Sequence, residues 1–321
     1  MNFPSDEELM NGPAASTEGL TFSYPQDYRA GFACFVGRPN VGKSTLTNAM
    51  VGSKIAITSG RPQTTRHTIR GVIHRDDAQL VLVDTPGFHR PRTLLGKRLN
   101  DVVRETLAQV DLIGVCLPAD EKIGPGDRLI VAEAAAARTP MVAIITKTDK
   151  ASKEQVAQAL MAAAELHDFV DIVPVSAVKD SQVDVLTDVL LSHMPPSPPL
   201  YPDGDITDEP EQVLIAEFVR EAALEGVREE LPHSLAVVVD DTERRPTRNG
   251  DMLHVYVTMY VERESQKAII IGKNGSRLRN VGARARKQIE ALVGEKIFLD
   301  LHVKVAKDWQ RDPKLLGQLG F

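Results

Sequence analysis

Residues 37–44 read Gly-Arg-Pro-Asn-Val-Gly-Lys-Ser, with the apolar run Gly31 to Val36 before them and the helix-like Thr45 to Val51 after them. A strand, a glycine-bearing loop and a helix in that order commit the chain to an α/β layer with a phosphate-binding loop at a strand's carboxyl end. Gly37 and Gly42 let successive backbone N–H groups turn inward around phosphate oxygens. Lys43 can then reach the β- and γ-phosphates, and the Ser44 hydroxyl can ligate Mg²⁺. Arg38, Pro39, Asn40, Val41 and Thr45 complete the predicted cradle for a nucleoside triphosphate.

At 321 residues the chain is long enough for about two domains. Its two cysteines, Cys34 and Cys116, lie in apolar runs and read as small core residues, so no disulfide framework is implied. Residues 1–29 carry Asp6, Glu7, Glu8, Glu18 and Asp27 without a basic or apolar leader, which predicts an acidic, flexible extension in the cytoplasm. No run approaches the roughly 18 apolar residues that span a bilayer. The net charge of −6 conceals an asymmetry: Lys267 to Lys314 carries 12 Lys/Arg against 5 Asp/Glu, which is +7 and leaves −13 elsewhere. One end of an acidic protein is built to meet an anion.

Strand candidates at Gly31–Val36, Ile69–His74, Leu80–Asp84, Leu112–Leu117, Met141–Thr146 and Ile172–Val175 are interleaved with helical stretches ending near His193. This predicts βαβ units and a mostly parallel sheet covered on both faces, a Ras-like α/β domain over 30–194. From 195 to 210 six prolines forbid a regular element and predict a stiff linker. Beyond it, a helix over Glu211–Glu230, strands at His233–Asp241, Leu253–Val261 and Ile297–Val305, and a helix over Ser276–Val293 predict a second, α+β domain spanning 211–321.

Asp84-Thr-Pro-Gly87 closes a strand, as the metal-side element of a P-loop NTPase does. Asp84 would hold Mg²⁺ through water, and the Gly87 N–H would meet the γ-phosphate. Between the two motifs lies Gln63-Thr-Thr-Arg-His67, which fits a switch loop whose Thr65 joins the metal sphere only with the γ-phosphate present. An ordinary loop threonine is the other reading. Thr146-Lys-Thr-Asp149 ends a strand. Asp149 is suited to accept from guanine N1–H and N2–H, Lys147 to lie along the base, and Ser176-Ala177 to offer N–H groups to O6. Thr146 stands where asparagine is usual. A hydroxyl is shorter and has one donor, which puts the base N7 contact and the tie to the phosphate loop in question, so the expectation is guanine specificity with lowered affinity. Phe88 occupies the place of the glutamine that orients water in many GTPases, which predicts slow intrinsic hydrolysis. Asn40 is similar to the asparagine of GTPases that draw on K⁺, and it also simply suits a tight turn.

Gly272-Lys273-Asn274-Gly275 follows an isoleucine run and precedes a helix bearing Arg277, Arg279, Arg284, Arg286 and Lys287. That is the form of a KH-domain Gly-x-x-Gly loop, where the backbone closes on a sugar-phosphate chain; by itself the tetrapeptide also occurs in ordinary turns. The basic helix and the local +7 favour nucleic acid. Nearby Trp309 and Phe298 are read as core or domain-contact residues before stacking platforms.

Together the Asn40 loop, Gln63 to His67, Asp84 to Gly87, the linker ending Thr207-Asp-Glu-Pro210, the KH loop and the tail Trp309 to Phe321 resemble the bacterial Era GTPases. The resemblance covers about residues 30–321. It implies a GTPase using GTP/GDP, Mg²⁺ and K⁺, with a KH domain of the type whose helix and Gly-x-x-Gly loop lie between strands (type II). It further implies binding to the 3′ end of 16S ribosomal RNA, a role in small (30S) ribosomal subunit maturation, a cytoplasmic monomer, and peripheral contact with the inner membrane face. Lys43, Thr65, Gly87 and Asn40 are the expected catalytic set. Two other readings stand at this point: an RNA chaperone in which GTP only sets affinity, and a membrane switch acting through a protein partner.

Overall fold

The computed structural model describes residues 24–58, 65–87, 91, 93–227, 234–247 and 250–321. Six strands, β1 (Arg29–Val36), β2 (Ile69–His74), β3 (Ala78–Asp84), β4 (Leu112–Pro118), β5 (Met141–Thr146) and β6 (Asp171–Pro174), form one sheet in the order β2-β3-β1-β4-β5-β6. β3, β4 and β5 are buried at every position, as strands covered on both faces require. All neighbours run parallel except β2, which pairs antiparallel with β3. Five helices cover the two faces: α1 (Lys43–Val51), α2 (Leu94–Gln109), α3 (Pro125–Ala135), α4 (Lys153–Leu166) and α5 (Val183–Ser192). One face packs Phe35, Leu46, Leu82, Leu186 and Leu190 together, the other Cys34, Val103, Ile113, Ile130 and Ile145. Cys34 and Cys116 are buried free thiols within these cores.

The helices begin where local chemistry lets them. The Thr93 side chain accepts from the Gly96 N–H at the start of α2, and Ser152 and Gln155 form a reciprocal cap on α4. Close approach needs glycine at Gly114, where an added Cβ would lie 2.6 Å from the Phe35 ring.

The proline-rich linker has no regular element, as expected, yet it is docked. Ile206 accepts from the Val72 N–H at 2.9 Å along the free edge of β2, and Asp205 O lies 2.8 Å from His74 Nε2. The buried Gln79 amide accepts from the N–H groups of Leu200 and Tyr201 at 2.7 and 2.9 Å and donates to the Tyr201 carbonyl at 2.9 Å. This satisfies a buried polar side chain near the start of β3.

The second layer is the sheet β7 (Ala236–Thr247), β8 (Gly250–Val261) and β9 (Ile297–Val305). β7 and β8 are antiparallel, β8 and β9 parallel. α6 (Glu211–Leu224), α7 (Glu264–Ile271) and α8 (Ser276–Val293) cover it, and α9 (Pro313–Gln318) follows β9. α7, the Gly-x-x-Gly turn and α8 form the crossover between the parallel strands, which is the arrangement expected of a type II KH domain. Some details differ from the sequence reading. The expected helix to Glu230 stops at Leu224, because Glu225 is extended and Gly226 takes φ +70. The isoleucine run, to which the sequence reading gave no element, is the end of a helix, α7. Phe298 is 47% exposed, against the expected core or domain contact, with its ring 4.7 Å from His254 on the sheet's open face. Trp309 is fully buried, as expected, and its indole N–H donates to the Ser234 carbonyl at 2.9 Å.

Candidate functional site

The loop between β1 and α1 lies at the carboxyl ends of the strands, beside the β1/β4 boundary where the sheet's winding reverses. Gly42 takes φ +106 and caps α1, a conformation that a side chain would strain. Gly37 has no room for a Cβ, which would meet the Cys116 carbonyl at 2.8 Å. Lys43 is buried, and its ammonium donates to the carbonyls of Gly37 at 3.0 Å and Arg38 at 3.1 Å. Burial pushes its pKa down, opposed by the fields of Cys116 and Asp84. Gly87 lies beside that ammonium: a Cβ on it would be 3.4 Å from Nζ.

Three oxygens converge next to Lys43. Ser44 Oγ donates to Asp84 Oδ2 at 2.9 Å, Thr65 Oγ1 donates to the same oxygen at 3.0 Å, and the two hydroxyls are 3.1 Å apart. Asp84 is fully buried. Burial raises its carboxyl pKa, against hydrogen bonds from Ser44 and Thr65 and the charge of Lys43, and its Oδ1 has no hydrogen-bond partner among the described residues. A buried carboxylate with an unsatisfied oxygen beside two hydroxyls fits a small hard cation such as Mg²⁺, which takes few protein ligands and keeps waters. No group of three or more His, Cys, Asp and Glu side chains suited to a metal occurs among the described residues, which is compatible with a hydroxyl-rich set.

A cavity of about 470 Å³ opens over these groups. Of the predicted residues it is lined by Pro39, Asn40, Gly42–Thr45, Thr65, Gly87, Thr146, Lys147, Asp149 and Ala177. Gly37, Arg38, Val41, Asp84 and Ser176 stand behind it. The Arg38 guanidinium is committed to carboxylates, donating to the buried Asp127 at 2.7 Å and pairing with Glu121 at 3.0 Å. Asn40 is exposed, with φ +64.

At the base end, Thr146 Oγ1 donates to the Val41 carbonyl at 2.6 Å. The tie to the phosphate loop that the shorter side chain put in question is therefore made by the hydroxyl itself. Ser176 Oγ donates to Asp149 Oδ1 at 2.6 Å and accepts from the Lys179 N–H at 3.2 Å, which holds the exposed carboxylate at the cavity rim. Lys147 sits 3.7 and 3.9 Å from Glu121 and Asp120.

The sequence reading missed the residues that join this cavity to the second layer. Thr58 lines the cavity, and its N–H and hydroxyl donate to Glu221 of α6 at 2.8 and 3.2 Å. The other oxygen of Glu221 accepts from Gln288 of α8 at 2.9 Å and from Lys54. Ile57 is buried in the core of the second layer. No local signal marks these contacts, whose partners are more than 160 residues apart in sequence for Thr58 and Glu221. Gln63 and Phe88 lie outside the described residues.

In the Gly-x-x-Gly turn, Gly272, Asn274 and Gly275 take φ of +70, +52 and +71. A Cβ on Gly272 would lie 2.7 Å from Arg277 Cβ. Lys273, Asn274, Arg279 and Arg284 are exposed, beside the half-exposed Ile269. Arg277 turns inward instead. Its guanidinium donates to the carbonyls of Ala223 and Glu225 at 3.2 and 2.9 Å and closes the end of α6. Arg279 donates to the Asn274 carbonyl at 3.0 Å, and Arg284 pairs with Glu225.

Comparisons with known proteins agree with this geometry. Residues 32–147 match the family model of a 50S ribosome-binding GTPase, and residues 230–310 that of a KH domain. The chain is 65% identical over 298 residues to GTPase Era of Mycobacterium avium, covering 92% of this chain and 99% of that one. It is 63% identical over 302 residues to GTPase Era of Streptomyces coelicolor, covering 92% and 95%. Two solved structures are each 36% identical with a TM-score of 0.86, covering 91% of this chain and 99% of theirs. One is Era in complex with MgGDPNP and nucleotides 1506–1542 of 16S ribosomal RNA; the other is a variant of Aquifex aeolicus Era bound to GDP and AlF4⁻.

Proposed function

The chain belongs to the Era family of GTPases, and from that premise we propose that it is a GTP-driven switch for the 3′ end of 16S ribosomal RNA. The observation that carries the reading is that the second layer grips both sides of residues 59–64: Thr58 through Glu221, and Arg66 through the Leu235 carbonyl at 2.7 Å. Whatever the γ-phosphate does to Thr65 is felt by the RNA-binding half. The functional units are 30–194 for GTP hydrolysis, 195–210 as linker and 211–321 for RNA; β1 already begins at Arg29, and residues 1–23 lie outside the described residues.

In this reading Lys43 neutralises charge on the β- and γ-phosphates, and backbone N–H groups of the loop over 37–45, in which Pro39 has none to give, cradle them. Ser44 and Thr65 hydroxyls and Asp84, the last through water, hold Mg²⁺. When bound, the ion would supply positive charge against the phosphates, offsetting what develops as water attacks in line. Gly87 donates its N–H to the γ-phosphate. Asp149, held by Ser176, accepts from guanine, while Lys147 lies along the base and Ala177 donates to O6. Asn40 supports a K⁺ that supplements this charge. With Phe88 in place of a glutamine no side chain there orients water, so intrinsic turnover is slow.

Lys273, Asn274, Arg279 and Arg284 face the RNA, and Arg277 holds the loop by closing α6. The biological output is maturation of the small ribosomal subunit by a cytoplasmic monomer whose contact with the membrane face is peripheral. No helix among the described residues is long and apolar enough to cross a membrane.

The test is binding of an RNA carrying the 3′ end of 16S ribosomal RNA, with a non-hydrolysable GTP analogue and with GDP, to the native protein and to a Gly272→Asp/Gly275→Asp variant. Tight binding that prefers the analogue and is lost in the variant is expected. Binding indifferent to nucleotide overturns the switch reading. Hydrolysis measured in KCl against NaCl tests Asn40, and equal rates remove K⁺ from the account.

A further inference from the structure

The segment after β9 gathers contacts from both nucleotide-side segments in one place. Arg66, next to Thr65, is 3% exposed, and its guanidinium lies 5.7 Å from the Trp309 ring and 5.9 Å from the Phe321 ring. His67 stacks on Phe321 at 5.0 Å and 20°, and Phe321 stacks on Trp309 at 5.7 Å and 25°. From the other side comes α2, the helix after Asp84-Thr-Pro-Gly87. Its Leu95 and Leu99 pack with Trp309, Leu316 and Leu319, and Arg98 donates to the Phe321 main-chain oxygen. Phe321 therefore touches the residues just after Thr65 and the helix just after Gly87 at once.

Consecutive Cα atoms are about 3.8 Å apart, so Arg66 and His67 can occupy this socket only when Thr65 is close to its position against Ser44 and Asp84. By the same geometry, an occupied socket holds Thr65 there. We propose that Phe321 is a positioning residue for the GTP-bound state: its ring, by seating Arg66 and His67, sets the preference of the nucleotide site for the triphosphate over the diphosphate. The selectivity follows because Thr65 meets the metal only with the γ-phosphate, whereas GDP binding does not use it. The inference rests on that reading of Thr65. Coupling is reciprocal, so seating of Arg66 and His67 in the socket and tight GTP binding reinforce each other.

The experiment measures dissociation constants for GDP and for a non-hydrolysable GTP analogue, with Mg²⁺, in native protein, Phe321→Ala, Phe321→Leu, Phe321→Tyr and Thr65→Ala, alongside each melting temperature. Loss of the ring contacts is expected to weaken analogue binding about tenfold. GDP affinity stays unchanged. Phe321→Leu, which keeps apolar bulk and so guards against loss of folding, shows the same selective loss, and Phe321→Tyr restores the native ratio. If GDP and analogue affinities fall together in both Phe321→Ala and Phe321→Leu, or neither changes, the inference is overturned. If Thr65→Ala also leaves the native ratio intact, the Thr65 reading fails and the inference falls with it. If Thr65→Ala lowers the ratio and Phe321→Leu does not, the inference alone falls.

Discussion

Replacing Thr146 by valine keeps the shape of the side chain and removes one donor. That donor reaches the Val41 carbonyl at 2.6 Å, between two residues that are 4% and 1% exposed. Leaving a buried acceptor short of its donor costs about 1–3 kcal/mol. For a unit the size of residues 30–194 the loss corresponds to roughly 2–4 °C in Tm per kcal/mol. Val41 sits between Asn40 and Gly42, in a loop whose N–H groups must all face one ligand. The same loss should therefore reach GDP affinity, by a factor of about 5 to 150 if all of it is felt there. Titration calorimetry with GDP and thermal melting of Thr146→Val measure both. Thr146→Asn keeps a donor and should bind GDP at least as tightly as the native protein. An unchanged GDP affinity in Thr146→Val, whatever its Tm, would refute the argument that this hydroxyl holds the loop ready for phosphate.

Ser176→Ala removes the hydroxyl that holds Asp149 at 2.6 Å, and GDP titration should show affinity lower by about tenfold, the scale of one hydrogen bond to a charged group. Gly272 and Gly275 both have positive φ, but only Gly272 would drive a Cβ into Arg277, at 2.7 Å. Gly272→Ala should therefore melt lower than Gly275→Ala, and equal melting would discount the contact. Arg220→Met leaves Glu217, 2% exposed, without the guanidinium that bonds both its oxygens at 2.9 and 2.8 Å. Urea unfolding should show a loss of about 3–5 kcal/mol, largely recovered in Glu217→Leu/Arg220→Met. The same pair sets an acid limit. Burial works to raise the Glu217 carboxyl, but Arg220, with smaller help from His67 and Arg66, prevails and holds it below the ordinary 4.5. Its contribution to stability is thus present above pH 4.5 and fades as pH falls below that value towards the folded pKa, so the double variant should lose less stability on acidification.

The phosphate loop and the strands around it were legible because their signals are local: a glycine at a turn, a lysine and serine next to it, apolar runs of strand length. The base end was harder. Thr146 looked like a lost contact in sequence, since its acceptor lies 105 residues away and is a backbone carbonyl that any residue could supply. Arg277 carried the same basic signature as Arg279 and Arg284, yet its reach from the first turn of α8 brings it to the end of α6, whose carbonyls need donors. Charge counting cannot separate an arginine that closes a helix from one that faces solvent. The grip on Thr58 by Glu221 and on Arg66 by the Leu235 carbonyl left no trace either, because a lone glutamate on a helix and a backbone carbonyl before a strand have no periodicity to read.

The docked linker also bears on how the molecule is divided. β2 ends the six-stranded sheet, and residues 205–206 lie along its outer side, where an uncovered strand would offer its N–H and C=O groups to another chain. A fragment cut at residue 194 would keep every nucleotide-binding residue and still expose that strand together with the amide of Gln79. Such a fragment should self-associate at concentrations where one extended to residue 209 stays dispersed. The proline run is thus part of the first unit's solubility as well as its tether to the second, and insertions there would act on aggregation before they acted on reach.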